Sequence, residues 1–566
     1  MNKFLGRPDL KPMDLDDIKP GLNKIVVGTV HYGNQEMIME KDVPVKMRDG
    51  ITLYVNVFRP DKPGKFPVVM SADVYGKDLK SHFPSIRPIW PTLGTMLTSE
   101  FTPVESPDPG FWVPNDYVLI KVALRGSSNS EGGLYAWSPL EAEDYYEVIE
   151  WAGVQEWSNG NVGTNGVSYL AVTQWWVASL NPPHLKATIP WEGLNDMYRE
   201  IAFHGGIPDT GFFQSWAKNL LARWPNNKEM EDLSEGQKEH PLLDDYWENR
   251  QVKLSDIKVP MFVCASWSTQ GLHNRGTFEG FKQASSEDKW LQVHGRKEWE
   301  TYYTRESLER QKAFFDYFLK GIENDWRDTP RICLEVREKF YQGQIHFENE
   351  WPIARTEYTK LYLDGEKMTL QNEPSKDEIK LTYKADPGQT ENNELRAKIT
   401  FKEDIELTGY MKLKLWVSTD VADDMDIFIG IKKYDRSGNE VYLPDFNHVE
   451  NGQVATGWLR VSHRELDTEK STPYQPWLKH TRLLKLKKGE IVPVEIEIWP
   501  SSTLFKAGES LVLVVKGSEI ITESSAPSLK VRYEHMETVN KGTHLVYAGG
   551  KYDSFLLVPV IPKKDY

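Results

Sequence analysis

The sequence predicts an open α/β domain, interrupted by an inserted helical cap and followed by an all-β jelly-roll domain. Three observations carry this. Continuous apolar runs alternate with helical patterns in the first half of the chain. One stretch rich in Trp, Phe and helix formers breaks that alternation. After Asp328 the pattern changes to short runs of period two with almost no helix. At 566 residues the chain is too long for a single core, so several domains are expected.

Residues 1–40 show no clear periodicity and read as an arm that wraps a neighbour or its own domain. Two alternating runs follow, VPVKM and ITLYVNVF, joined by Arg48-Asp49-Gly50; an Asp-Gly pair between such runs signals a hairpin. FPVVMSADVY and YVLIKVAL are apolar almost throughout, as strands covered on both faces of a parallel sheet are. The helical pattern SPLEAEDYYEVIEWAGVQ separates them from GNVGTNGVSYLAVTQWW (160–176), and LKATIPW, VPMFVCASW and DKWLQVHG continue the strand series. The α/β domain therefore comprises 41–194 and 257–327. Residues 195–256, with TGFFQSWAKNLLARW, form the cap, inserted between two strands where it can roof a site.

Residues 328–566 read as an antiparallel sandwich. MKLKLWV puts Met411, Leu413, Leu415 and Val417 on one face against Lys412 and Lys414. VPVEIEIW sets Val492, Val494, Ile496 and Ile498 opposite Glu495 and Glu497, and DIFIGIKK repeats the period.

The formal charge of −15 disfavours nucleic acid and anionic membranes as partners. No apolar run reaches the length of a signal peptide or a membrane span, and with only Cys264 and Cys333, both in strand-like settings, the expectation is a cytoplasmic protein with two buried thiols. No phosphate loop, dinucleotide glycine pattern or zinc spacing occurs, so neither cofactor nor metal is expected; Asp423, Asp424 and Asp426 read as a solvated strand edge. The arm and the large β domain would suit a homodimer.

Ser168 lies between a short run and a helical one. A nucleophile elbow needs that arrangement, because a sharp strand-to-helix turn lifts the hydroxyl above the sheet with the helix N-terminus facing it. Gly166 supplies the small residue before the serine, but position 170, where a second is usual, is Leu170, with Ala171 next. A serine capping a helix has the same local sequence.

In its surroundings, EWSNGNVGTNGVSYLAVTQWW resembles the elbow of the cocaine esterase and X-prolyl dipeptidyl peptidase family of α/β-hydrolases. There, Gly-x-Ser-Tyr-x-Gly follows an acidic helix and a Gly-Asn-Val-Gly turn. RGSSNSEGG (125–133) and GWLRVSHREL extend the resemblance over nearly the whole chain. It implies an α/β-hydrolase fold and a serine hydrolase of the esterase, acylase or X-prolyl dipeptidyl peptidase kind, cleaving a small ester or amide, a peptide included, through an acyl-enzyme on Ser168. It also implies two oxyanion donors, the Tyr169 amide and the Tyr75 hydroxyl in SADVYGKD.

A serine hydroxyl needs a base, and the base an acid to orient it. The family takes the acid from Trp-Tyr-Asp and the base from Gly-Pro-Trp-x-His; here those positions are Thr269 and Glu298. Three arrangements restore the chemistry. His294 is the base, with Glu298 or another acid behind it; or His273 is the base, oriented by Glu298; or the acid is Glu192, at the end of LKATIPWEG. His184 reads as a turn residue and His204 as part of the cap. Two other readings stand beside hydrolysis: a ligand-binding relative without catalysis, and acyl transfer to an alcohol or amine.

Overall fold

The computed structural model describes residues 26–563 except 33–34, 79–97, 104, 225–226, 228, 366, 446–448 and 522–534. Most of the arm expected at 1–40 lies outside the described residues. Its last part is strand: β1 (Val26–Tyr32) pairs antiparallel with β2 (Gln35–Lys46), from Val26 opposite Lys41 to Tyr32 opposite Gln35. Apolar alternation does not mark this hairpin because Glu36, Glu40 and Lys41 interrupt it. The expected hairpin at Asp49-Gly50 is present. Lys46 stands opposite Thr52 at the start of β3 (Thr52–Pro60), and Gly50 takes a φ of +93° in the turn.

Strands β4 (Phe66–Asp73), β5 (Val118–Ala123), β6 (Ser158–Val167) and β7 (Leu185–Trp191) run parallel in the spatial order 5-4-6-7, with β3 antiparallel on the outer side of β5. Side chains alternate between two cores. Val68 and Met70 face helices α1 (Pro139–Gly153) and α2 (Tyr169–Ser179) through Val148, Ile149, Val172 and Trp175. Val69, Leu119 and Ile189 face the opposite core with Phe314, Phe315 and Leu319. Both faces are covered, which is why these strands are apolar without a break.

Between β7 and the next sheet strand come a two-residue hairpin, β8 (Phe203–His204) with β9 (Ile207–Pro208), and helices α3 (Phe212–Arg223) and α4 (Leu233–Glu239). The parallel sheet then resumes beyond β7 with β10 (Met261–Ser266), β11 (Lys289–His294) and β12 (Ile332–Lys339), helix α5 (Asn274–Gln283) lying between the first two. Composition assigns β12 to the C-terminal region, but it pairs with β11. Periodicity identifies a strand without saying which sheet it joins.

The C-terminal region is β-rich. Strand Ile405–Thr419 pairs antiparallel with Val492–Phe505, Thr543–Ala548 and Phe555–Ile561. Met411, Leu413, Leu415 and Val417 share one core with Val492, Val494, Ile496 and Ile498, as the alternation predicts. The acidic run differs from expectation. Asp426 is buried in a bidentate pair with Arg460 at 2.7 and 2.9 Å, and Asp424 is buried against Lys485 at 3.0 Å. Sequence marks the acids but not the distant cations that allow their burial. Cys264 and Cys333 are free and buried. Among the described residues no helix is long and apolar enough to cross a membrane, and no cluster of side chains is arranged to hold a metal ion.

Candidate active site

The order 5-4-6 reverses the direction in which the chain fills the sheet, and the crevice beyond the carboxyl ends of strands at such a point is where α/β proteins bind ligands. Five loops meet there. Tyr75 follows β4, Ser168 follows β6, Glu192 follows β7, and the stretch from Thr269 to His273 follows β10; Glu298 follows β11.

Ser168 holds a φ of 59° and ψ of −120°, a strained conformation for a residue with a side chain. Four hydrogen bonds fix it. Its N–H donates to the carbonyls of Trp191 and Glu192, both at 3.1 Å, and its carbonyl accepts from Ala171 at 2.9 Å and Val172 at 3.0 Å. Its side chain caps no helical N–H, so the hydroxyl does not serve α2. At Gly166, with φ +150°, a Cβ would lie 2.6 Å from that of Leu170. The glycine at 166 makes room for Leu170, and one residue later the helix packs closely again: a Cβ on Gly193 would lie 2.7 Å from that of Ala171. The small pair is 171 and 193, which a local pattern around the serine does not reveal.

His273 is the histidine that reaches the serine, with Nε2 3.0 Å from Ser168 Oγ. Glu298 Oε1 lies 3.5 Å from the same nitrogen, whereas the buried Nδ1 has no hydrogen-bond partner among the described residues. The carboxyl therefore sits beside the nitrogen that receives a proton and not behind the ring, unlike the orientation assumed for the second arrangement. The loop itself is held from elsewhere. His204 Nε2 is 2.8 Å from the Gly271 carbonyl, and Gln270 donates to Pro500 O at 3.0 Å. His204 is thus buried and braces this loop, its other nitrogen 2.8 Å from His535 Nε2.

His294 turns away from the serine. Its Nε2 meets Glu192 Oε1 at 3.0 Å and Thr301 Oγ1 at 2.9 Å, and β7 and β10 separate its strand from β6. The pairing of a histidine with an acid proposed for His294 exists, with Glu192 as the acid, but neither side chain bonds to the Ser168 hydroxyl. His184 pairs with Glu150 at 2.8 Å, at a distance from the site along α1.

Tyr169 is the first residue of α2, so its amide has no intrahelical acceptor. Its phenol donates to Glu141 at 2.6 Å. The Tyr75 ring packs edge-on against Tyr169 at 5.4 Å, and its oxygen accepts from Trp216 of α3 at 3.0 Å. The phenol keeps its own proton to donate. Trp216 and Trp137 stack at 4.7 Å beside Tyr169, giving the site an aromatic wall built partly by the insertion. Sequence reading did not single out Trp216 or Glu105. Glu105 accepts from the Val167 amide at 3.0 Å through its carbonyl and from Trp299 at 3.0 Å through its carboxyl. Neither residue belongs to a motif; only their folded positions identify them.

Burial dominates the charges. It lowers the His273 pKa to about 3, so the imidazole is neutral at rest. Burial, and then the charges of Glu192 and Glu105, push Glu298 well above the usual carboxylate range. Glu105 rises to about 8 for the same first reason, despite its bond from Trp299. Burial also raises Tyr75 well above 10, with Glu105 adding to it, which keeps the phenol a donor.

Two family models cover most of the chain: X-Pro dipeptidyl-peptidase (S15 family) over residues 49–297, and the X-Pro dipeptidyl-peptidase C-terminal non-catalytic domain over 324–557. The crystal structure of a CocE/NonD family hydrolase from Staphylococcus aureus is 64% identical, over 99% of this chain and 100% of that one, with a TM-score of 0.91. Cocaine esterase from Rhodococcus sp. is 23% identical, over 92% of this chain and 98% of its own length. A putative Xaa-Pro dipeptidyl-peptidase from Bacillus anthracis is also 23% identical, over 89% of this chain and 86% of its own length.

Proposed function

Because this chain belongs to the CocE/NonD family of serine hydrolases, we propose that it cleaves a small ester or amide through an acyl-enzyme on Ser168, with His273 as the base. The observation that carries the reading is the 3.0 Å bond between His273 Nε2 and Ser168 Oγ. A neutral, buried imidazole accepts the hydroxyl proton as Oγ bonds to the substrate's carbonyl carbon. The oxygen's developing charge is met by the Tyr169 amide and the Tyr75 hydroxyl. His273 then protonates the leaving group, and water, activated by the same nitrogen, releases the acid. Glu298 Oε1, 3.5 Å from Nε2, lies beside the N–H that the imidazolium acquires in both steps.

In this reading residues 195–256 act as the cap, contributing Trp216 to the aromatic wall, and the C-terminal strands form the jelly-roll domain. The wall favours a small, partly apolar acyl group.

A fluorophosphonate probe tests the proposal. The wild-type chain should be labelled and Ser168→Ala should not; absence of labelling on the wild type would favour a ligand-binding relative. Turnover of p-nitrophenyl acetate faster than of a dipeptidyl p-nitroanilide would support the substrate class.

A further inference from the structure

We infer that Glu192 is a positioning residue that holds the three loops carrying Ser168, His273 and Glu298 in register, an inference that rests on the acyl-transfer reading. Glu192 is the first residue after β7, is fully buried and has a φ of 52°, a left-handed conformation that a glutamate rarely adopts. Its main chain serves two partners. The N–H donates to Cys264 O at 2.8 Å, and the carbonyl accepts from the Ser168 N–H at 3.1 Å. The turned backbone sends the side chain toward the two remaining loops. Oε2 accepts from Thr269 Oγ1 at 3.0 Å, and Oε1 lies 3.0 Å from His294 Nε2.

Each of those contacts fixes a neighbour of the reacting groups. The Thr269 carbonyl accepts from the amides of Leu272 and Asn274, both at 3.2 Å, so holding Thr269 holds the turn that contains His273. His294 Nδ1 accepts from the Arg296 amide at 3.2 Å, which leaves the ring proton on Nε2, directed at the Thr301 hydroxyl with Glu192 Oε1 beside it. His294 and Thr301 flank Glu298 in the chain, so the ring spans the segment that presents it. One residue thus contacts all three loops, through its main chain and its side chain, and a base displaced by 1 Å or so loses about 100-fold in rate.

The test uses the full chain, with fluorophosphonate labelling and p-nitrophenyl acetate kinetics. Glu192→Gln keeps the shape but puts an amide against either the Thr269 hydroxyl or the His294 N–H. It is expected to lower the labelling rate and kcat by ~10- to 100-fold with KM within about threefold. Thr269→Val should lower the rate, and Thr269→Ser, which retains the donor, should restore most of it. In Glu192→Gln/Thr269→Val the loss should not exceed that of Glu192→Gln alone, since the two act through one bond. Labelling of Glu192→Gln at the wild-type rate, or multiplicative losses in the double variant, would overturn the inference and leave the hydrolase reading standing. A wild-type chain that is not labelled would overturn both. Should Glu192→Gln fail to fold, the Thr269→Val and Thr269→Ser pair decides: equal rates overturn the inference.

Discussion

His273 Nε2 and Ser168 Oγ lie 3.0 Å apart although 105 positions separate them in the chain. The bond joins the turn after β6 to the loop after β10, across the strand β7 between them. His273→Ala is therefore expected to slow fluorophosphonate labelling by about 100-fold or more, the usual contribution of a general base. His294→Ala removes a ring that contacts Glu192 and Thr301 instead, and should cost clearly less. Equal losses in the two variants would mean that neither is the base.

The pH dependence should be unusual for a serine hydrolase. Burial lowers the His273 pKa from 6.5 to about 3, so the protonation that removes the base occurs far into acid. kcat/KM measured by stopped-flow is expected to stay level from neutrality down to about pH 5. An acid limb with its midpoint at the ordinary histidine value would contradict this.

Tyr75→Phe removes a donor without changing the ring that packs on Tyr169. A single oxyanion-hole donor contributes about 3 kcal/mol to the barrier, so kcat should fall ~100-fold with little change in KM. Trp216→Phe removes the bond accepted by the Tyr75 oxygen and leaves the phenol its own proton, and should have a smaller effect. A Tyr75→Phe variant with wild-type kcat would assign the donor to another group.

Glu105 links stability to pH. Its folded pKa, about 8, is above its ordinary 4.5, so the folded chain holds a proton that the unfolded chain releases. Stability from this group is complete below about pH 4.5, falls as pH rises, and is fully lost above about pH 8. Glu105→Gln retains an acceptor for Trp299 and should raise the thermal midpoint at pH 8 or above while leaving it unchanged near pH 4.5. No difference at either pH would show that the carboxyl is not desolvated.

Arg275 joins α5 to the C-terminal strands. It is buried, donating to Glu200 at 3.0 Å and to Glu497 at 3.0 and 3.1 Å. Removing one member leaves buried carboxylates without a counter-charge, so Arg275→Ala should cost about 3–5 kcal/mol in urea unfolding. Because α5 begins directly after His273, the labelling rate should fall as well. A change under about 1 kcal/mol would indicate that water replaces the guanidinium.

The elements themselves were legible in the sequence. FPVVMSADVY, YVLIKVAL and LKATIPW became parallel strands, and MKLKLWV and VPVEIEIW became antiparallel ones, because burial on one or both faces writes itself into the spacing of apolar residues. The strand-to-helix turn at Ser168 was legible for a related reason: such a turn demands a small residue close by in the chain, here Gly166. The partner of that serine was not. His273 lies in the loop after β10 and His294 ends the neighbouring parallel strand β11, and their local sequences do not say which ring points toward β6. The fold decides it by distance, since Glu192 and Thr301 engage one ring and leave the other to face Ser168. Spacing along the chain records what each residue is buried against, but a proton moves over 3 Å of space, and only packing determines which groups stand that close.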